Sequence, residues 1–295
     1  MVTSHPGLEG FTDFEVFGLG TALLVEALVG LLLNGLTLLA FYKIKELRTP
    51  SNLLITSLAL SDFGISMNAF IAAFSSFLRY WPYGSEGCQT HGFHGFLMAL
   101  ASINACAAIA WDRYHQNCSR SRLQWSSAIT VTVFIWGIAA FWSAMPLLGW
   151  GVYDYEPLRT CCTLDYSKGD SNFISFFIIM GSFEFIFPIF IMLSSYQSCK
   201  SKFKKTGQVK FNTGLPVKTL IFCWGPYSLL CFYATIENIT ILSPKLRMIP
   251  AVLAKTSPTI NAFIYVLGNE NYRGGLWSFL TGQKMLPRRL KRDGW

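Results

Sequence analysis

One lysine interrupts a stretch of the chain that is otherwise apolar or small. Residues 250–268 read PAVLAKTSPTINAFIYVLG, and Lys255 is the only full charge among them. Desolvation penalises a buried ammonium, and the neutral amine that results is the nucleophile that condenses with an aldehyde to a Schiff base. Lys255 follows Arg247 by eight residues, roughly 12 Å along a helix, which is too far for its charge to reach water easily. Ala251, Ala254, Thr259 and Ala262 around it are small and leave room for a ligand. The plainer reading is a lysine neutralised by a buried carboxylate, Glu26 or Glu184.

The elements that must hold this lysine are membrane helices. The chain has 295 residues, 52% hydrophobic and 14% charged, with a mean hydropathy of +0.39; soluble domains carry about a quarter charged residues. Seven apolar runs cover residues 14–42, 51–78, 88–111, 126–149, 172–199, 215–236 and 246–267, each long enough to cross ~30 Å of hydrocarbon. The expected fold is therefore all-α, a single seven-transmembrane bundle. A short segment 1–13 precedes the bundle at 14–268, and a cytoplasmic segment with a basic tail, 269–295, follows it. Segment 1–13 lacks the basic start of a cleaved signal peptide, so the first span is expected to act as the anchor.

Charge sets the orientation. Most of the 24 lysines and arginines fall in the odd-numbered connections and the C-terminal tail, which places those in the cytoplasm and the N-terminus outside. The formal net charge of +8 thus reflects topology and contact with anionic lipid headgroups; nucleic acid is not an expected partner. Cys88 and the pair Cys161–Cys162 then face an oxidising compartment. A disulfide from Cys88 to one of that pair would pin the loop before the fifth span over the mouth of the bundle. The other five cysteines have no metal-ligand spacing and read as packing residues, with Cys118 and Cys199 at cytoplasmic helix ends open to acylation. Ionisable groups inside the spans are costly and mark function. They are Glu26, Asp62, His91, Glu184 and Lys255, and Asn34 and Asn261 could reach Asp62 as hydrogen-bond partners.

Taken in order, Asn34, Asp62, Cys88, Asp112-Arg113-Tyr114, Trp136, Pro188, the string CWGPY at 223–227 and Asn261 followed by Tyr265 resemble the rhodopsin-like G-protein-coupled receptors over nearly the whole chain. Lys255, six residues before Asn261, looks like the retinal-binding lysine that separates the opsins from other members. The strings RYWPYGSEGCQTHGF, PLLGWG, YDYEPLRTCCTLDYSKGD and LGNENYRGG resemble the retinochrome-like opsins, which photoisomerise retinal in the visual cycle.

The resemblance carries several expectations. Retinal is the cofactor, all-trans in the dark and 11-cis after light, bound to Lys255 in a pocket walled by Trp224, Tyr227, Met180, Phe185 and Glu184. Cys162 is the partner of Cys88, and a short amphipathic helix follows the seventh span. His91 stands where visual opsins have a carboxylate, and neutral histidine cannot balance a cation, so the counterion is expected to be Glu156 in the outer loop, aided by His91. Two function classes follow, a light-driven retinal photoisomerase and a signalling opsin. For the second, Asp112, Arg113, Tyr114, Asn261 and Tyr265 form the receptor switch, and a heterotrimeric G protein is the partner. Ala262 replaces the proline of the family's N-P-x-x-Y motif, and Thr206 stands where many receptors place an acid that locks Arg113; both departures weigh toward isomerisation. Membrane lipids and retinoid-handling proteins are the other implied partners, and internal membranes of retinal pigment epithelium and glial cells the implied location.

Overall fold

The long helices begin where the sequence supplies caps. In the computed structural model, which describes residues 10–119, 121–206, 215–268 and 270–282, Thr12 and Glu15 form a reciprocal capping box at the start of α1 (Asp13–Lys43). Thr49 caps α2 (Pro50–Leu78), whose first residue is the proline best tolerated there. α3 (Gly84–Tyr114) runs on through a π turn, His115–Ser119. α4 (Trp125–Ala144) ends in a 3-10 turn containing Pro146. Asp170 caps α5 (Ser171–Gly181), which passes through a second π turn, Ser182–Ile186, into α6 (Phe187–Thr206). α7 (Leu215–Tyr233) carries Pro226 in its interior. The last span comes in three pieces: α8 (Pro244–Lys255), α9 (Ser257–Asn261) and a π turn, Ala262–Leu267. The expected N-terminal segment up to residue 9, Arg120, loop residues 207–214, Asn269 and the basic tail from 283 lie outside the described residues.

Among the described residues, five helical stretches are long and apolar enough to cross a membrane: Asp13–Lys43, Pro50–Leu78, Gly84–Ser119, Trp125–Leu148 and Ser171–Lys202. α7, and α8 with α9 and the turn after it, complete the seven-helix bundle of a multi-pass membrane protein. Spans five and seven are interrupted: a π turn separates α5 from α6, and the last span breaks at Thr256. Pro258 has no N–H to return to the carbonyl of Ala254, four residues earlier, so the helix stops at Lys255 and restarts at Ser257. Ala262, in place of a proline, does not leave a regular helix either, because a π turn begins at that residue.

α3 is the central element and packs against α2, α4, α6 and the outer loop. Large apolar side chains such as Phe17, Leu32, Val133, Phe134, Phe190 and Leu229 point outward, where lipid does not penalise them as water would. α1 and α2 meet closely at Gly30, where an added Cβ would collide with Ser66 Oγ, the small-residue contact that lets membrane helices approach. Cys118 and Cys199 are buried with their sulfurs 3.1 Å apart, which removes both from reach of an acyl donor. After the seventh span, α10 (Glu270–Thr281) is the expected amphipathic helix. Its Tyr272 is buried and bonds Thr56 across the bundle at 2.8 Å, while Trp277 and Leu280 face outward.

The outer loop before α5 is a hairpin. β1 (Tyr153–Tyr155) pairs antiparallel with β2 (Cys162–Leu164), Tyr155 opposite Cys162. Strands of three residues are too short to show an alternating pattern in the sequence.

Candidate functional site

The hairpin closes over the bundle because three contacts fix it. Cys162 forms a disulfide with Cys88 at the outer end of α3, which settles the choice the residues alone left between Cys161 and Cys162. Tyr153 is buried, packs against Gly92 of α3 and donates its hydroxyl to the Ser143 carbonyl at 2.8 Å. Gln89 donates to the Tyr153 carbonyl, also at 2.8 Å. Cys161, left over, is a free and buried thiol, and burial first, with the neighbouring Glu156 carboxylate second, pushes it well above the ordinary thiol range.

Glu156 is the first residue after β1, its N–H bonded to the Cys161 carbonyl at 3.0 Å across the hairpin tip. That turn aims the carboxylate into the bundle, where Lys255 Nζ meets Glu156 Oε1 at 3.3 Å. The pair is enclosed, with side-chain exposures of 15% for the lysine and 4% for the glutamate. Glu156 Oε2 has no hydrogen-bond partner among the described residues. Two buried charges in contact offset one another's desolvation, and removing either strands the other.

His91 lies beside this pair without joining it. Its Nδ1 is 3.2 Å from the Cys162 carbonyl and its Nε2 is 3.3 Å from the Asn68 carbonyl. A neutral imidazole has one N–H, so it donates only one of those bonds at a time. His91 thus braces β2 against α2 and has no hydrogen bond to Glu156 among the described residues. Asn68 Oδ1 also accepts from His94 Nδ1 at 2.7 Å.

Below the ion pair lies a cavity of about 580 Å³. Its wall on α3 runs from His91 to Ile103, and Trp224, Tyr227, Met180, Phe185 and Glu184, all expected from the sequence, also line it. Tyr227 shares a 2.9 Å hydrogen bond with Thr163 of β2. Of the four small residues expected around Lys255, Ala251 and Ala254 face the cavity, but Thr259 and Ala262 do not line it. The helix break after Lys255 ends the i, i+4 spacing that would have brought them there.

Of the other carboxylates in the spans, Glu184 and Asp62 have partners of their own. Glu184 accepts a hydrogen bond from Asn104 of α3, a lone amide in an apolar run that carries no functional signal in the sequence by itself. Glu26 is half-buried, and its Oε2 has no partner among the described residues. Asp62 accepts from Ser102 at 2.7 Å and from Asn261 at 3.1 Å. Asn34 does not reach it; its amide donates to the carbonyls of Gly30 and Pro258 at 2.9 and 3.3 Å.

Comparison with known proteins agrees with this geometry. Residues 33–265 match the model of the family described as 7 transmembrane receptor (rhodopsin family). The chain belongs to the rhodopsin family of seven-transmembrane receptors. It is 57% identical to the RPE-retinal G protein-coupled receptor of Homo sapiens, over 96% of this chain and 97% of that protein, and 58% identical to that of Bos taurus, over 93% and 94%. The visual pigment-like receptor peropsin of Homo sapiens is 27% identical over 92% of this chain and 87% of that one. Among solved structures, squid rhodopsin superposes with a TM-score of 0.83 at 24% identity, covering 95% of this chain and 90% of that chain, a likeness of fold.

At the cytoplasmic end of this rhodopsin-family receptor, Arg113 stacks over the Tyr265 ring, 5.5 Å from its centroid. Asp112 accepts from Gln116 at 2.8 Å. Tyr265 is wholly buried, and Tyr114 packs edge-on to His115 at 5.0 Å.

Proposed function

We propose that this receptor holds all-trans-retinal as a Schiff base on Lys255 and that light converts it to the 11-cis form, a retinochrome-like photoisomerase of the visual cycle. The observation that carries the reading is the enclosed Lys255–Glu156 pair at one end of an elongated, mostly apolar cavity. A site of that kind, one reactive amine with few placed polar groups, suits a long polyene aldehyde. When bound, retinal supplies light absorption and a double bond that rotates in the excited state. The chain's own residues supply the rest. Glu156 would take the proton of Lys255, leaving a neutral amine able to condense with an aldehyde with loss of water, and, on returning that proton, would keep a negative charge beside the nitrogen. Trp224, Tyr227, Met180 and Phe185 restrict which shapes fit, and that restriction steers the product.

The choice of isomerisation over signalling rests on the resemblance to retinochrome-like opsins, including an acid at the Glu156 position, and on Ala262. The relatives' printed names, with retinal and G protein both in them, support a retinoid and a heterotrimeric G protein as partners. The second reading, a light-activated signalling receptor, is favoured by the seating of Arg113 over Tyr265. Residence in internal membranes of pigment epithelium and glia belongs to the proposal on the resemblance alone.

Extraction of the bound retinoid before and after illumination tests it. All-trans in the dark and 11-cis after light is the expected result; 11-cis in the dark and all-trans after light would reverse the assignment. Lys255→Ala should abolish covalent pigment, and a pigment that survives would sink both opsin readings.

A further inference from the structure

The cavity has a polar group at each end. Its α3 wall, from His91 to Ile103, spans roughly 18 Å along the helix. The ion pair and the hairpin stand at the His91 end. At the other end Asn104, next to Ile103, donates to Glu184 Oε2. Glu184 is fully buried, lines the cavity, and its Oε1 has no hydrogen-bond partner among the described residues. Such orphaned buried acceptors are rare in folded proteins and unfavourable unless something fills them. The backbone places this one deliberately, for Glu184 sits in the π turn Ser182–Ile186, a helix irregularity concentrated at functional sites. Around it the wall is aromatic and aliphatic, with Phe185, Ile189 and Trp224, so a purely hydrocarbon ligand end would leave the oxygen unpaired.

We propose that this end of the cavity is a polar subsite for a retinoid aldehyde oxygenated on its ring, with the free Glu184 carboxyl oxygen pairing a ring hydroxyl. The proposal rests on the reading of Lys255 as the attachment point, which fixes the aldehyde at the opposite end and leaves the ring for Glu184. Asn104 is then a positioning residue: it holds Oε2 and so aims Oε1 at the ligand.

Competition between ligands tests it. Receptor purified from cells grown without retinoid is offered equimolar all-trans-retinal and all-trans-retinal hydroxylated at ring carbon 3 or 4, and the bound retinoid is extracted and quantified. In wild type one of the hydroxylated aldehydes should be enriched roughly 3- to 10-fold, the worth of a single hydrogen bond. Glu184→Gln keeps part of that preference because its amide also pairs with a hydroxyl, and Glu184→Leu brings it to parity. Parity in wild type, a preference untouched by Glu184→Leu, or enrichment of the unsubstituted aldehyde (an oxygen that serves only water) would overturn the subsite. The readout is a ratio within each preparation, so partial misfolding of a variant does not imitate any of these results. Binding of neither aldehyde by wild type would overturn the Lys255 reading instead, and it is recognised by the absence of any extracted retinoid.

Discussion

Glu156 is the residue on which the site's electrostatics turn. It reaches Lys255 at 3.3 Å from a loop, and no other carboxylate is seen bonded to that lysine among the described residues. Glu156→Gln should therefore shift the absorption maximum of the visible pigment. With retinal held on Lys255 as proposed, the pigment should have a protonated visible form and a neutral near-ultraviolet form, and Glu156→Gln should move their exchange to lower pH by about 1–3 units, the usual effect of removing an opposite charge at contact distance. The sign follows directly: without the carboxylate, a protonated Schiff base loses its stabilising partner and gives up its proton at lower pH. A pH titration of the spectrum checks it, and an unchanged titration would leave Glu156 as a structural residue. Lys255, Cys88 and Asp62 were legible in the sequence because each is a costly or reactive type in an apolar run. Asn104 was overlooked for the opposite reason, since a single neutral amide in a span raises little alarm until its partner Glu184 is seen 80 residues away.

The hairpin is the element that makes the site. Its sequence shows no strand pattern, and only the cysteines and the family resemblance hinted that residues near 156 turn inward. Two predictions belong to it. Cys162→Ser should release β2 from α3 and lower both thermal stability and pigment yield; loss of a disulfide in a small domain costs about 2–5 kcal/mol. Cys161→Ser should leave both nearly intact, and the native protein should resist thiol alkylation at Cys161 near neutral pH, because the buried thiol stays protonated. Thermal melts and mass mapping of alkylated cysteines distinguish the two positions. Gly92→Ala is the second: its new Cβ would lie 2.8 Å from the Tyr153 ring, and overpacking of that kind costs about 1–3 kcal/mol. A lower melting temperature with a displaced absorption maximum is expected, because Tyr153 and Glu156 move together. A melt that falls with no change in colour would mean that Glu156 is held independently of β1.

At the scale of the molecule, seven spans and their orientation were readable from apolar length and charge asymmetry, and the helix after them came from the family resemblance. The interruptions of the spans were not readable, since π turns at Ser182–Ile186 and Ala262–Leu267 answer to packing across the bundle and have no local sequence code as plain as proline's. The two function classes also separate at this scale. An isomerase should show light-dependent turnover of added all-trans-retinal with little nucleotide exchange on a reconstituted heterotrimeric G protein. Exchange raised severalfold by light, and lost in Arg113→Ala, would instead identify a signalling receptor. The jointed last span bears on that contest in mechanical terms. A continuous rod passes a twist from one end to the other, but a linkage with compliant joints takes it up on the way. Lys255 ends one segment and Tyr265 lies in the third, so torque applied at the lysine meets two joints before it arrives beneath Arg113.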